Sequence, residues 1–220
     1  MLNRSNSPIA LPRLVLASGS PRRAEILRSV GWDFSISVAD IDESELSNEA
    51  AESYVRRLAV GKALAISSLL PDDIVLGADT TVVVDSHIIG KPADLEDARR
   101  MLRLLSGRWH EVLTGVAVAA NSSVRDGLQR TRVKFAEMND PEIDFLAEMG
   151  DPLDKAGAYA VQAQAALFIE AIEGDYWNVV GLPVRLVYKM ITASLPPVAP
   201  ERADPAEAQM TGRPIRRSVS

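Results

Sequence analysis

The chain has 220 residues, of which 47% are hydrophobic and 25% charged, and it carries a net charge of −6. This length allows one or two domains with a sizeable core, while the acidic balance argues against a general nucleic-acid-binding protein, which should carry a basic face. The sequence contains no cysteine, which excludes disulfides, thiolate zinc sites and cysteine nucleophiles.

Strand and helix patterns alternate along the chain. Apolar runs and alternating patterns predict strands at 14–17, 34–38, 74–78, 81–85, 87–89, 111–119, 129–137 and 166–172. Helical periodicity and capping signals predict helices at 21–30, 48–69, 95–105, 141–149 and 182–193. The stretches 40–45, 121–127 and 150–157 are expected to be loops. This alternation predicts an α/β fold, and the later hairpins predict a mixed, twisted sheet with flanking helices.

The two ends of the chain differ from its middle in composition. We expect residues 1–13 to be an N-terminal extension, residues 14–193 to form one domain, and residues 194–220, which lack periodicity, to be a disordered tail. No apolar run approaches the ~20 residues of a membrane span, and the start of the chain lacks the long apolar core of a signal peptide. The protein is therefore expected in the cytoplasm.

A pair of cations follows the first predicted strand. The run LVLASGSPRRAEIL places Ser20 as a helix N-cap and Pro21 at the first helical position, directly before Arg22 and Arg23. A helix N-terminus favours anions, so two arginines there make sense if a phosphate lies between them and the backbone N–H groups. Two solvated arginines on a surface helix are the alternative. Because cations are unfavourable at this end, replacing either arginine is expected not to destabilise the protein.

Asp79 comes directly after the predicted strand 74–78. Ligands bind at the carboxyl ends of strands in open α/β sheets, so this carboxylate could hold a metal or act as a base. An aspartate that caps its own turn is the alternative. Thr80 and Thr81 follow, and they offer hydroxyls on opposite faces of the chain.

Two lysines stand in contexts that suggest a cleft. Lys62 lies four residues after Leu58 and four before Ile66, so it falls on the apolar stripe of its helix. It could snorkel to solvent or reach into a cleft to meet a phosphate. Lys91 follows Gly90 in a turn after the predicted hairpin, where most lysines are solvated.

Asp40, Asp42 and Glu43 place three carboxylates in one short loop. Such clusters usually face solvent, but they become favourable beside a divalent cation, and oxygen-only ligands point to Mg²⁺ or Mn²⁺. His87 and His110 stand far apart in unrelated contexts and make a poor metal pair. The common nucleotide-binding motifs GxxxxGK[ST] and GxGxxG are both absent.

Eight motifs, in sequence order, together resemble one known family. They are LASGSPRRAEIL, DES, RLAVGKA, GADTTVVV, IIGKP, RRMLRLLSGRWHEVLTGV, DPLDKAGAYAVQ and GDYWNVVGLP, and they fall between Leu14 and Met190. This set resembles the Maf family of nucleoside triphosphate pyrophosphatases. The resemblance implies hydrolysis between the α and β phosphates, to a monophosphate and pyrophosphate, with a divalent metal. It also implies an α/β fold with a long cleft between two lobes, similar to the inosine triphosphate pyrophosphatases.

The resemblance assigns roles by position. Ser18, Arg22 and Arg23 match the family's phosphate-binding start, and Lys62 and Lys91 match its two polyphosphate lysines. Glu43 matches its acidic-loop metal ligand, and Asp79 matches its proton acceptor. Asp79 is expected to share the metal with Glu43.

Three further positions separate specificity branches of the family, and here they are Arg22, Thr80 and Gln162. This combination is similar to the dTTP/UTP branch rather than the 7-methyl-GTP branch. A carboxamide matches the N3–H and O4 groups of uracil and thymine, so Gln162 is the hypothesised base reader, oriented by the Thr80 hydroxyl.

The chain departs from the family pattern at Ala163, Gln164 and Trp177, which we expect near the nucleobase pocket. The expected enzyme binds dTTP and UTP, uses Mg²⁺ or Mn²⁺, and binds neither membranes nor nucleic-acid polymers. Whether it forms a homodimer is left open. One alternative is a pyrophosphatase for modified purine nucleotides such as 7-methyl-GTP. Another is a non-catalytic nucleotide-binding regulator of cell division. The specificity positions argue against the first alternative, and the presence of both Asp79 and Glu43 argues against the second.

Overall fold

The computed structural model describes residues 11–194. Its strands are β1 (Leu14–Leu16), β2 (Phe34–Ile36), β3 (Val75–Val84), β4 (His87–Ile89), β5 (Trp109–Ala120), β6 (Ser123–Phe135) and β7 (Ile169–Glu173). Its α-helices are α1 (Pro21–Ser29), α2 (Ala51–Ser67), α3 (Leu95–Leu105), α4 (Asp140–Met149), α5 (Tyr176–Val180) and α6 (Val184–Ser194). The predicted N-terminal extension lies outside the described residues up to residue 10, and the predicted tail lies outside them from residue 195 onward.

All seven strands belong to one mixed sheet with the order β2-β1-β3-β5-β6-β7, and β4 pairs with β3. β1 runs parallel to both β2 and β3, whereas the pairs β3–β4, β3–β5, β5–β6 and β6–β7 are antiparallel. β1 is only three residues long and β3 is ten. Most of β3 therefore extends beyond the end of β1, and this mismatch creates the space for a site.

Helix α2 lies directly on the backbone of the sheet. A Cβ at Gly77 would lie 2.2 Å from the Ala59 carbonyl oxygen, and one at Gly115 would lie 2.2 Å from that of Val55. Only glycine permits so close an approach of helix and strands. Because these two contacts fix α2, they also fix the starting point of the Lys62 side chain, which leaves the same helix.

The main core lies on the opposite face of the sheet. Successive strand residues point to opposite faces, so Leu76, Ala78 and Val82 pack away from α2 and join the buried faces of α1, α3, α4 and α6. Leu27, Leu102, Leu146 and Ile191 are among the buried residues that these helices contribute. The predicted α/β fold with a mixed sheet and flanking helices is confirmed.

Several element predictions were wrong in detail. The helix predicted at 48–69 spans Ala51–Ser67, and the strand predicted at 34–38 ends at Ile36. The predicted strands 74–78 and 81–85 form one strand, because Asp79 and Thr80 pair with Gly115 and Thr114 of β5 without a break. The stretch 121–127 is mostly strand, since only Asn121 and Ser122 adopt the positive φ angles of the hairpin turn. β7 begins at Ile169, three residues later than predicted, because residues 164–167 form a 3₁₀ turn.

The described chain also contains features that the sequence patterns did not predict. α5 has five residues, too few for a periodic signal, and the Asp175 side chain caps it by accepting from the backbone N–H groups of Trp177 and Asn178. The expected loop 150–157 includes 3₁₀ turns at 152–154 and 156–158. Within residues 11–194, no helix has the length and apolarity that crossing a membrane would require.

Candidate active site

A cleft of about 520 Å³ opens where β1 ends and β3 continues. After Leu16 the chain leaves the sheet through a Ser18–Ser20 turn and enters α1, so this edge of β3 has no strand neighbour between the end of β1 and the pairing with β4 that begins at Val82. Asp79 points toward α2 and Thr80 toward the opposite face. The cleft therefore contains side chains from both faces of the sheet.

An ion-pair cluster lies on the α2 side of the cleft. The Lys62 Nζ atom is 2.7 Å from Oδ1 of Asp79 and 2.8 Å from Oε1 of Glu43. Lys62 and Asp79 are each only 8% exposed, so Lys62 does not snorkel to solvent. Asp79 is not at a strand end, as the sequence suggested, but is the fifth residue of a ten-residue strand. Its exposure to the cleft comes instead from the early end of β1.

Contacts with α2 hold the loop that carries Glu43. The Tyr54 hydroxyl donates to the Glu43 carbonyl oxygen at 3.1 Å, and Arg57 donates to the Ser44 carbonyl oxygen at 3.0 Å. Burial, followed by the charges of Asp79, Glu45 and Glu43, raises the pKa of Tyr54 to about 12. The phenol therefore stays protonated and available as a donor at neutral pH.

The predicted cluster of three loop carboxylates does not form. Glu43 lines the cleft, but Asp42 accepts a hydrogen bond at 2.9 Å from the backbone N–H of Ser44 in its own loop. This hydrogen bonding with Ser44 lowers the pKa of Asp42. Asp40 is not among the residues that line the cleft. Within residues 11–194, no group of three or more His, Asp or Glu side chains is placed to hold a metal ion.

Arg23 is the buried cation on the other side of the cleft. It donates from Nε to the Gly181 carbonyl oxygen at 3.0 Å, from Nη1 to the Ser18 hydroxyl at 2.9 Å, and from Nη2 to the Thr80 hydroxyl at 3.1 Å. Burial lowers the pKa of this guanidinium; the Asp79 charge opposes the shift. The alternative of a solvated arginine is wrong for Arg23. Because Arg23 joins three segments of the chain, we now expect its removal to lower stability, in contrast to the expectation from the sequence.

The other predicted cations lie nearer to solvent. Arg22 donates to the Asp154 carbonyl oxygen at 3.4 Å and lies 3.7 Å from the Asp154 carboxylate. Lys91 is exposed at the rim of the cleft and forms no ion pair within residues 11–194. Ser20 is the N-cap of α1 and Pro21 begins it, as predicted, although the Ser20 side chain makes no capping hydrogen bond. The structure thus brings all the predicted cations to one cleft.

Gln162, the residue expected to recognise the base, lies at the cleft but has no hydrogen bond to Thr80. Gln162 is exposed and lines the cleft. The Thr80 hydroxyl bonds instead with Arg23, Thr114 and the Gly181 carbonyl oxygen, so the prediction that it orients Gln162 is wrong. The three positions that depart from the family pattern do not line the cleft either; they are Ala163, Gln164 and Trp177.

Comparison with known proteins places the chain in a family. The family model for Maf-like proteins matches residues 13–194. The chain belongs to the Maf family. A dTTP/UTP pyrophosphatase from Hahella chejuensis (strain KCTC 2396) is 51% identical to this Maf protein over 175 residues, which cover 78% of this chain and 87% of the relative. A dTTP/UTP pyrophosphatase from Symbiobacterium thermophilum (strain DSM 24528 / JCM 14929 / IAM 14863 / T) is 47% identical over 182 residues, or 83% and 94% of the two chains.

The fold has a counterpart among solved structures. The Staphylococcus aureus Ham1 protein matches this Maf protein with a TM-score of 0.50 at 13% sequence identity, and the match covers 84% of this chain and 100% of that one. At this identity the likeness concerns the fold alone. It agrees with the fold that the sequence motifs implied.

Sequence reasoning missed four side chains that line the cleft of this Maf protein, namely Tyr54, Asp154, Lys155 and Tyr159. Lys155 is buried, and its ammonium bonds to the Asp151 carbonyl oxygen and to the Asp154 carboxylate. Asp154 therefore stands between Lys155 and Arg22. The available signal was the motif DPLDKAGAYAVQ, which contains three of the four, but nothing in its spacing indicates which side chains turn inward.

Glu43 and Asp79 offer a donor set that fits a hard divalent cation. Both carboxylates lie within 2.8 Å of one Lys62 Nζ atom, so they converge on a common point. Mg²⁺ in proteins is usually bound by one or two carboxylates, with waters and substrate phosphates completing its coordination. Two carboxylates beside a cationic cleft therefore suit a metal that arrives with a polyphosphate better than a metal held by protein ligands alone.

Proposed function

We propose that this Maf protein hydrolyses dTTP and UTP between the α and β phosphates, giving dTMP or UMP and pyrophosphate. Relatives named dTTP/UTP pyrophosphatase are 51% and 47% identical over most of the chain, which favours these substrates over modified purine nucleotides. The observation that carries the proposal is the cleft itself. It joins the Lys62–Asp79–Glu43 cluster to a second set of cations that includes Arg22 and Lys91.

The cationic side chains suit a polyphosphate. Arg22 and Lys91 lie on different segments that border the cleft, and Arg23 supplies a buried guanidinium behind Ser18. A triphosphate laid along this cleft would meet positive charge along its length. Fixed cations of this kind stabilise the negative charge that develops during phosphoryl transfer, and they hold the substrate in the orientation that an attacking water needs.

Asp79 is the proposed proton acceptor. Its Oδ1 atom is bound to Lys62, while Oδ2 has no hydrogen-bond partner within residues 11–194. In the proposed reaction a water oxygen attacks the α phosphorus and gives a proton to the Asp79 carboxylate. The bond from the α phosphorus to the bridging oxygen breaks, and pyrophosphate leaves. In the free protein Lys62 holds the Asp79 carboxylate in this position.

Glu43 and Asp79 are the residues that would hold Mg²⁺ or Mn²⁺. When bound, such an ion supplies charge neutralisation at the phosphates and makes a coordinated water more acidic. The protein contributes the position of the two carboxylates: β3 fixes Asp79, and Tyr54 and Arg57 of α2 hold the loop that carries Glu43.

The test is product analysis in ¹⁸O-labelled water. The purified protein, with Mg²⁺ or Mn²⁺, is incubated with dTTP and UTP, and the products are identified by phosphorus NMR and mass spectrometry. We expect equal amounts of monophosphate and pyrophosphate, with the label in the monophosphate. Release of orthophosphate with a nucleoside diphosphate left behind would contradict the proposal, as would an absence of turnover. Asp79→Asn protein prepared in parallel controls for contaminating phosphatases.

A further inference from the structure

Lys62 occupies the point on which the two proposed metal ligands converge. Its Nζ atom lies 2.7 Å from the Asp79 carboxylate and 2.8 Å from the Glu43 carboxylate, and these are its two ion-pair partners within residues 11–194. An ammonium group and a divalent cation both bind carboxylate oxygens. The two cations therefore compete for this pair of ligands.

We propose that Lys62 is an internal counter-ion that blocks the carboxylate pair in the free protein, and that a bound polyphosphate frees the pair by drawing the ammonium onto its own oxygens. Metal and nucleotide then bind cooperatively, and the metal alone binds weakly. This inference rests on the proposed function, because it takes Glu43 and Asp79 as the metal-holding residues.

Charge explains why the nucleotide is needed. Two carboxylates and one ammonium carry a net charge of −1, so a divalent ion added beside Lys62 would leave three positive charges facing two negative ones. Lys62 is buried among these carboxylates, and moving its charge away without a new partner is costly. Phosphate oxygens in the cleft supply that partner. By linkage, the metal must then raise nucleotide affinity by the same factor by which the nucleotide raises metal affinity.

The structure limits the exchange to the side chain of Lys62. A Cβ at Gly77 would lie 2.2 Å from the Ala59 carbonyl oxygen and 2.8 Å from the Ala63 nitrogen, so the helix backbone on both sides of Lys62 lies against the sheet. α2 has no room to move closer to the sheet. The flexible four-carbon stem of lysine, in contrast, allows the ammonium to swing between two sets of oxygens.

The test measures Mn²⁺ binding to nucleotide-free protein by the loss of the free Mn²⁺ signal in electron paramagnetic resonance. Lys62→Met removes the competing charge, and Lys62→Gln removes it while providing an amide donor. The second variant serves for the measurement if the first does not fold. We expect either variant to bind Mn²⁺ about tenfold or more tightly than the wild type, since coupling between sites is typically about 5–150-fold. Adding Glu43→Gln to the Lys62 variant should abolish the gain.

Lys91→Met is the matched control, because Lys91 lines the same cleft but forms no ion pair within residues 11–194. Its Mn²⁺ affinity should equal that of the wild type. Equal or weaker Mn²⁺ binding by the folded Lys62 variants would overturn the inference, as would an equal gain in Lys91→Met. The readout involves no turnover, so it is independent of the product analysis: hydrolysis with unchanged Mn²⁺ affinity defeats only the inference, and tighter Mn²⁺ binding without hydrolysis defeats only the proposed function.

Discussion

Asp79 is held through one carboxylate oxygen by Lys62, and the proposed reaction uses the carboxylate as a base. Asp79→Asn should lower kcat by ~10²–10⁴-fold, the usual contribution of a general base. The amide can still accept from Lys62, and Glu43 remains as its ion-pair partner, so we expect a loss of only ~1–2 kcal/mol in the free energy of unfolding. The measurements are steady-state kinetics and urea unfolding. An unchanged kcat would move the role of base to Glu43.

His110 gives a prediction about acid stability. It is buried, its Nε2 atom lies 2.7 Å from the Tyr159 hydroxyl, and its Nδ1 atom has no hydrogen-bond partner in the described structure. Burial lowers its pKa from 6.5 to about 4. Between these two values the unfolded chain takes up a proton that the native protein does not, so stability falls as the pH falls through this window, by up to ~3 kcal/mol.

His110→Gln should remove this part of the pH dependence. Urea unfolding at several values between pH 6.5 and pH 4 should give a shallower loss of stability than in the wild type, whatever the difference at neutral pH. The control is His87→Gln, because His87 is exposed on β4 and its variant should retain the wild-type slope. If His110→Gln loses stability as steeply as the wild type, His110 does not carry the effect.

At the scale of secondary-structure elements, Arg23 joins α1 to β3 and to the end of α5. Its three hydrogen bonds reach Ser18, Thr80 and Gly181, so removing it breaks three buried contacts that join separate segments of the chain. Arg23→Ala should therefore lower the free energy of unfolding by roughly 1–3 kcal/mol as well as weaken nucleotide binding. Arg22→Ala, at the neighbouring half-buried position, should weaken binding with a stability change within ~0.5 kcal/mol. Equal stability losses in both variants would contradict this distinction.

Elements with a strong local signal could be predicted from the sequence, and those set by a partner could not. α3 shows why: Asp94 caps it, and Ala98, Met101, Leu102 and Leu105 form its buried stripe. The continuity of β3 through Asp79 and Thr80 comes instead from pairing with β5. In the sequence, these two polar residues within an apolar run look like a break between two strands. The short helix α5 depends on a cap at Asp175 rather than on periodicity.

At the scale of the whole molecule, the residue types of the site could be predicted but their partners could not. Arg22, Arg23, Lys62, Asp79 and Glu43 all line one cleft, as the motifs indicated. The contact between Arg23 and Gly181 joins residues 158 positions apart, and no local pattern indicates such a contact. The metal, the cytoplasmic location and a homodimer stay predictions.

Base preference follows from where Gln162 lies in the whole cleft. Its amide is exposed and has no hydrogen-bond partner within residues 11–194, so in the free protein the amide can rotate. One orientation matches N3–H and O4 of uracil and thymine, and the flipped orientation matches cytosine. We therefore expect dTTP and UTP to be the best substrates, with the two kcat/KM values within ~10–200-fold of each other because they differ at the base by one methyl group. Discrimination against CTP should be smaller than that against GTP and 7-methyl-GTP, because a purine base is also larger than a pyrimidine.

The variant Gln162→Ala tests whether Gln162 recognises the base, and the nearby Gln164 provides the control. Losing a hydrogen-bonded base contact typically costs about 1–3 kcal/mol, so kcat/KM for dTTP and UTP should fall by roughly 10–100-fold. Most of that loss should appear in base selectivity, with the pyrophosphate product unchanged. Gln164→Ala is the control, because Gln164 stands two residues away but does not line the cleft, and its kinetics should match those of the wild type. Steady-state assays with dTTP, UTP, CTP, GTP and 7-methyl-GTP decide the matter. Equal losses in both variants would assign base recognition to the segment as a whole, and a wild-type preference for either guanine nucleotide would rule out Gln162 as a pyrimidine reader.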